Sequence, residues 1–229
     1  MDFYTNVISY GNSILVRGVK NGERITVRNK YQPTLFVPVQ KETQYKTLDG
    51  RSLTPVKQQS IKHAKEFLSQ YSEQQNLIYG MTRYNFQYIS DTWRSEINWK
   101  MEDILVVTID IEVASENGFP KVEDSIEELL SITIKNHQSK QIVVFGVGDY
   151  TNSREDVHYV KCESEDELLE KFLKFWETHK PDVITGWNSK FYDLPYLIHR
   201  IKYRFGEDAV KRLSVWKTVY KDSVYIQGK

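Results

Sequence analysis

The sequence is short of several things, and each shortage narrows the field. It carries one cysteine, Cys162, in 229 residues, so no internal disulfide framework can form and a reducing, intracellular setting is the default expectation. It has no excess charge: 31 Lys and Arg balance 31 Asp and Glu, which leaves no global field to draw the chain to nucleic acid or membrane. Any such attraction must be local. No apolar run approaches the roughly 20 residues of a membrane-spanning helix, and the amino-terminal MDFYTNVISYGNS lacks a basic stretch followed by an apolar core. The expectation is a soluble protein with no membrane partner. Internal repeats and low-complexity tracts are also missing. What the chain does have is aromatics, 13% of residues with fifteen tyrosines, which suits sheet edges and contact surfaces better than a helical bundle. Its length allows one large domain or two modest ones.

The first hundred residues read mostly as short strands. SILVRGV (13–19) and ERITVR (23–28) flank Asn21-Gly22, a pair that favours a type I′ hairpin turn because both central residues need positive φ. TLFVPV (34–39) is a further strand that Pro38 confines to an edge or an end, and Asp49-Gly50 marks another turn. Thr54-Pro55 predicts a helix start as N-cap and N1, with Ile61, Ala64, Phe67 or Leu68, and Tyr71 at helical spacing behind it. Tyr84, Phe86 and Tyr88 alternate, as on one face of a strand, where they serve either as core or as a stacking platform for RNA or single strands.

The character changes near Met101. A β-rich run spans Asp103 to Val113, followed by LLSITIK (129–135) and QIVVFGV (141–147), close enough in sequence to form a meander. Ser164 opens a helix as N-cap, with Glu167 completing a capping box and Leu168, Leu169, Phe172, Leu173 and Trp176 as the buried stripe; Pro181 closes it. DVIT (182–185) is a brief strand. Phe191 to Phe205 is a helix with Phe191, Leu194, Ile198, Ile201 and Phe205 along one side and Gly206 at its end. Strand, strand, strand, helix, strand, helix points to a mixed sheet covered by helices, an α/β (α+β) chain.

Two groups of residues carry chemistry. In TIDIEV (108–113) Asp110 and Glu112 lie two apart and so share a strand face, at the carboxyl end of a run that is apolar on both faces. Open α/β sheets place their sites at such ends. Two ionised carboxylates this close repel unless a cation sits between them; oxygen donors favour magnesium or manganese. The alternative is two hydrated acids where a strand reaches solvent. In TGWNSKFYDLPYL (185–197) a strand ends, a turn follows, and Asp193 stands at a helix start with Pro195 in the first turn. There Asp193 is either an N-cap or a ligand, and Asn188 a turn residue.

D-I-E followed about eighty residues later by N-x-x-x-Y-D resembles the first two proofreading-exonuclease motifs of the family B DNA polymerases: Asp110 and Glu112 in the first, Asn188, Tyr192 and Asp193 in the second. The flanking DIEVASENGFP, TGWN, YDLPYL, RI, FGE and KRLS are similar to the branch found in large tailed phages (myoviruses). The resemblance implies a β-rich amino-terminal domain (1–100) and a ribonuclease-H-like 3′–5′ exonuclease domain (101–229). It implies two Mg2+ or Mn2+ ions, with Asp110 bridging, Glu112 ligating one and helping to orient the water or terminal sugar, and Asp193 binding through a ligand shell; Asn188 and Tyr192 support them. The implied partners are the single-stranded 3′ end of a DNA primer-template and the remainder of the polymerase, in the host cytoplasm of a virus-encoded enzyme. Phe119 is where phage relatives set an aromatic against unpaired terminal bases; locally it is either that or a ring tucked under the loop by Pro120.

The match breaks at the third exonuclease motif, Tyr-x-x-x-Asp, which supplies a water-positioning tyrosine and a further carboxylate. Tyr220 has Val224 four residues on and Tyr196 has Arg200, and the polymerase palm motifs are also absent. The expectation is an amino-terminal fragment of a phage replicative polymerase, ending in a strand and turn over VYKDSVYIQGK (219–229), inactive or nearly so by itself. Rivals are a stand-alone editing exonuclease and a nucleic-acid-binding module with relic acids. From His199 to Lys229 the basic residues 200, 202, 204, 211, 212, 217, 221 and 229 outnumber the acids 207, 208 and 222, which marks either a phosphate contact or a solvated helix face.

Overall fold

The computed structural model describes residues 1–116 and 118–219, so Tyr220 to Lys229, where the terminal strand and turn were expected, lie outside the described residues. The chain divides into two compact units, Met1–Asp103 and Ile104–Lys229. In the first, β1 (Phe3–Tyr10), β2 (Ser13–Lys20) and β3 (Glu23–Lys30) form an antiparallel meander. Asn21 and Gly22 both take positive φ, 53° and 78°, in the β2–β3 turn, the geometry that matches the twist of the flanking strands. β4 (Thr34–Pro38), β5 (Tyr45–Lys46) and β6 (Ser52–Lys57) make a second sheet in the order β4-β6-β5, which leaves Pro38 at the end of an edge strand.

Thr54 and Pro55 do not start a helix; they lie inside β6. Pro55 faces Phe36 of β4, and both backbone groups of Phe36 are spent on Tyr79, at 2.9 Å each. The pair exchanges no ladder bond, and β5 ends before Pro55, so the missing N–H leaves no acceptor unpaired. The helix begins later: α1 (Ile61–Ser69) is capped by Ser60, whose hydroxyl accepts from the His63 amide. The second correction is α2 (Tyr84–Thr92), a helix where alternation predicted a strand. Tyr84 and Tyr88, four apart, pack on the core cluster of Val7, Ile14, Val16, Leu35, Ile61 and Ala64, while Phe86, two positions round, is 46% exposed. No flat row of three aromatics exists there.

The second unit is built on a five-stranded mixed sheet, ordered β10-β9-β8-β7-β11. β7 (Val106–Val113), β8 (Leu129–Asn136) and β9 (Ile142–Val147) are the expected meander. β10 (Val157–Cys162), absent from the expectation, pairs parallel with β9, and β11 (Val183–Thr185) pairs parallel with β7. α3 (Glu165–His179) is capped by Ser164; Glu167 reaches back, but to the Glu163 amide at 2.7 Å, one residue beyond the N-cap amide of a standard capping box. Its apolar stripe is the predicted one, and it lies on the sheet face that carries Val107, Ile109, Ile111, Ile132, Ile134 and Phe145.

α4 (Asp193–Phe205) starts two residues later than expected, and its buried face is rotated: Asp193, Tyr196, Leu197, Arg200 and Ile201 face inward, while Phe191 is 65% and Phe205 36% exposed. Polar residues sit on that face because they have partners. Arg200 forms a two-pronged contact with Glu165, 2.6 Å on each prong, with both side chains within 4% of full burial. α5 (Glu207–Val210) and a short 3-10 turn follow. The basic stretch is internally neutralised among the described residues. Arg200 and Arg204 pair with Glu165 and Asp166, Arg212 with Glu170 and Glu177, Lys217 with Glu177, Lys211 with Asp208, and Lys202 with Glu207. These are helix-packing and surface pairs, so the phosphate-contact reading of this stretch loses its free cations; Lys221 and Lys229 lie outside the described residues.

Candidate functional site

The carboxyl end of β7 is half open. β11 pairs with β7 only as far as Thr185, opposite Thr108, so among the described residues the strand runs on for five residues with β8 alone beside it. On that extension Asp110 and Glu112 share one face and are exposed, while Ile109 and Ile111 point into the core. Across β8 their register partners are Thr133 and Ser131. The register breaks at Glu112/Val113, where Leu130 is the extra residue of β8, 46% exposed. Bulges of this kind twist a strand and re-aim its side chains.

A turn takes the place of the missing strand. Gly186 passes so close to β7 that a Cβ there would lie 2.6 Å from the Ile109 carbonyl, which only glycine allows. Asn188 sits at φ 55°, left-handed, and its carbonyl accepts from the Phe191 and Tyr192 amides at 2.9 and 3.0 Å. Asparagine tolerates that conformation better than most residues. Asn188 is therefore a turn residue first, with its side chain exposed.

Asp193 is the first residue of α4 and is 4% exposed. It does not cap its own helix. Its Oδ1 accepts from the Ile111 amide of β7 at 3.1 Å, where β11 has already ended. Burial pushes its pKa above the ordinary aspartate value, and the charge of Asp110 adds to this, against the hydrogen bond from Ile111. Tyr192, half-buried, has its hydroxyl pKa raised by burial first and then by the charges of Asp193 and Glu112. The charge of Asp110 thus reaches Asp193, and those of Glu112 and Asp193 reach Tyr192. Their carboxylates do not close into a cage: among the described residues no three Asp, Glu, His or Cys converge tightly enough to hold a metal ion. None of the three acids has an ion-pair partner among the described residues. An uncompensated group of acid oxygens is a donor set for a hard divalent cation.

Phe119 is not tucked away. Its ring is 82% exposed and lies 5.3 Å from the Tyr192 ring, tilted by 43°, while Pro120 is the buried neighbour. The loop carrying it is fastened by residues that sequence reading did not single out. His199 Nδ1 donates to the Val122 carbonyl at 2.7 Å and Tyr196 donates to the Glu127 carbonyl at 2.8 Å. Arg200 donates to the Ser125 and Ile126 carbonyls at 3.1 and 2.7 Å. Glu165 ties in as well, accepting from the Leu129 amide at 2.9 Å. The available signal was the unusual presence of Tyr, His and Arg at i, i+3 and i+4 on a helix face next to apolar Leu197 and Ile201.

The exonuclease-domain model of DNA polymerase family B matches residues 53–222, across parts of both units. The chain is 30% identical, over 93% of its length, to the DNA-directed DNA polymerase of Escherichia phage RB69, of which it covers 27%. To the DNA-directed DNA polymerase of Enterobacteria phage T4 it is 28% identical over 93% of its length, covering 26% of that protein. It is 31% identical, over 45% of its length, to the DNA polymerase delta catalytic subunit of Candida albicans, covering 10%. The chain therefore spans about a quarter of the phage polymerases it is similar to.

Proposed function

This chain belongs to DNA polymerase family B through that family's exonuclease domain, and on that premise we propose that residues 101–229 supply the first part of a 3′–5′ exonuclease site that removes the terminal nucleotide of DNA. Residues 1–100 are read as the amino-terminal domain that precedes it. One observation carries the proposal: Asp110 and Glu112 stand exposed on one face where β7 outruns β11, with Asp193 buried beside Asp110 and no cation paired to any of them among the described residues.

The donor chemistry fits Mg2+ or Mn2+. Asp110 and Glu112 would hold the ion, with Asp193, on which the charge of Asp110 acts, as the third carboxylate. Bound there, a divalent cation supplies charge neutralisation at the scissile phosphate and lowers the pKa of a water. The protein's own residues do the rest. Asp193, fixed by the Ile111 amide, keeps α4 in place against β7. Phe119 offers a ring face to a terminal base, a contribution of about 1–3 kcal/mol that ignores base identity. Tyr192 backs Phe119 and borders Glu112, and Asn188 shapes the turn that leads into α4.

Without a Tyr-x-x-x-Asp motif the carboxylate set is incomplete, so we read the chain as one part of a longer, virus-encoded polymerase working in the host cytoplasm on a primer-template with a frayed 3′ end. Recognition of RNA by the first unit loses the strand face proposed for it, since Tyr84, Phe86 and Tyr88 are helical. Incubating residues 1–229 with 3′-labelled single-stranded DNA and Mg2+ should give trace degradation at most, while Mn2+ titration by calorimetry should show weak binding that Asp110→Ala removes. Robust metal-dependent hydrolysis abolished by Asp110→Ala would overturn the incomplete-site reading; Mn2+ binding indifferent to Asp110 would overturn the site itself.

A further inference from the structure

We propose that α4 acts through His199 and Arg200 as a positioning device for base binding, holding the 119–127 segment so that Phe119 stays against Tyr192 with its other face open to a terminal nucleobase. The proposal rests on the exonuclease reading above and adds residues that touch neither the acids nor the base.

Among its described residues, the segment between β7 and β8 has no strand or helix to order it. Its base is closed by the Ala114 amide on the Glu128 carbonyl, 2.9 Å. Beyond that, the tertiary bonds just described fall on consecutive carbonyls, from Ser125 to Glu127, and on Val122, all from one face of α4. Because Val122 presents only an acceptor, His199 Nδ1 carries the proton there. Ser125 is 1% exposed at φ 42° and donates its own hydroxyl to Val122 at 2.6 Å. A non-glycine residue is held in that conformation only when its surroundings over-determine it.

The helix that grips the loop also provides, at its amino end, the ring on which Phe119 rests. One rigid element thus sets both the loop's path and the support for its aromatic tip. An exposed ring on a free loop would lose part of its binding contribution to ordering; one already held loses less. Arg200 is bound to Glu165 as well, so the grip is anchored in the core.

The test uses the 1–229 chain in EDTA, with fluorescence anisotropy of labelled oligothymidylate ending in either a 3′ base or a 3′ abasic residue. The wild-type chain should prefer the base-bearing end by about tenfold, and Phe119→Ala should bring the ratio close to one. His199→Leu, which removes the donor, should cut the preference to about threefold or less, leave affinity for the abasic strand unchanged, and add nothing in the Phe119→Ala background. Arg200→Lys, which keeps a charge opposite Glu165 but loses the Nη1 group that donates to Ser125 and Ile126, should do the same in protein that thermal melts show to be folded. A wild-type preference that survives both substitutions in folded protein overturns the positioning role alone. A wild-type chain with no preference overturns it together with the stacking role of Phe119.

Discussion

Replacing Arg200 with methionine keeps most of the side chain's length and removes its charge, and the structure sets what that should cost. Glu165 would be left 4% exposed without its two 2.6 Å contacts, keeping only the Leu129 amide at 2.9 Å and the more distant Arg204 Nε at 3.7 Å. Removing one partner of such a pair costs about 3–5 kcal/mol, because a buried charge loses its compensation; the remaining Arg204 contact places this case at the lower end. The buried Ser125 carbonyl also loses its donor, a further cost on the order of 1 kcal/mol that is not strictly additive. The expected loss is about 4 kcal/mol, a large part of the ~5–15 kcal/mol that holds a domain together, or a fall of roughly 10–15 °C in melting temperature. Calorimetry, which separates the transitions of two units, is the assay. The double substitution Glu165→Met/Arg200→Met should be less harmful than the sum of the single ones, because the orphaned charge is gone. As a control, Lys211→Met removes a pair whose side chains are 51% and 93% exposed and should leave the melting temperature essentially unchanged, because solvent screens such a pair. A loss below about 1 kcal/mol for Arg200→Met, or a double variant as damaged as the sum, would refute the argument.

Two further expectations concern the site. Because burial raises the pKa of Asp193 above its unfolded value, this group binds its proton more tightly in the folded chain, so its own contribution to stability is fully present below the ordinary aspartate pKa and is lost as pH rises through the raised one. Asp193→Asn should therefore melt higher than the parent at pH 7 in EDTA, and the two should converge below pH about 4; a variant less stable at pH 7 would contradict the sign. Gly186→Ala should cost roughly 1–3 kcal/mol by driving a methyl against the Ile109 carbonyl and the Ser189 Cβ, and should weaken Mn2+ binding in parallel, since the strand it displaces carries Asp110. Unchanged melting would show that the turn yields freely.

Local signals with a single physical meaning were legible in the sequence. Asn21-Gly22 could make little but a hairpin, and Ser164 with the stripe from Leu168 to Trp176 is a helix by cap and period together. Signals with two meanings misled. Thr-Pro reads as a helix start, yet at Thr54-Pro55 a strand accepts the proline because the pair it occupies exchanges no bond. Tyr-x-Phe-x-Tyr suits a strand, yet the i, i+4 tyrosines suit a helix as well, and tertiary burial chose between them. In α4 the apolar count placed the buried stripe on Phe191 and Phe205, because a sequence does not show that Arg200 has a buried acid 35 residues away to meet it. For the site, the shared face of Asp110 and Glu112 follows from strand period alone. That Asp193 would spend an oxygen on the Ile111 amide, and so stand apart from a closed metal cage, depended on where β11 stops.

The stopping point of β11 also bears on the order in which the site is assembled. β7 through β9 join neighbours in the chain and can form early: five residues separate β8 from β9, and the fifteen between β7 and β8 add little closure entropy because that cost grows only with the logarithm of length. The acid pair exists as soon as they do. Asp193 reaches β7 across 82 residues, and must wait for β10, α3 and the turn at Gly186 to carry α4 back to the sheet. The Ile111 amide is thus a reporter of closure. It becomes protected from hydrogen exchange only when α4 has docked, so its protection measures completion of this half of the site independently of the sheet that bears the acids.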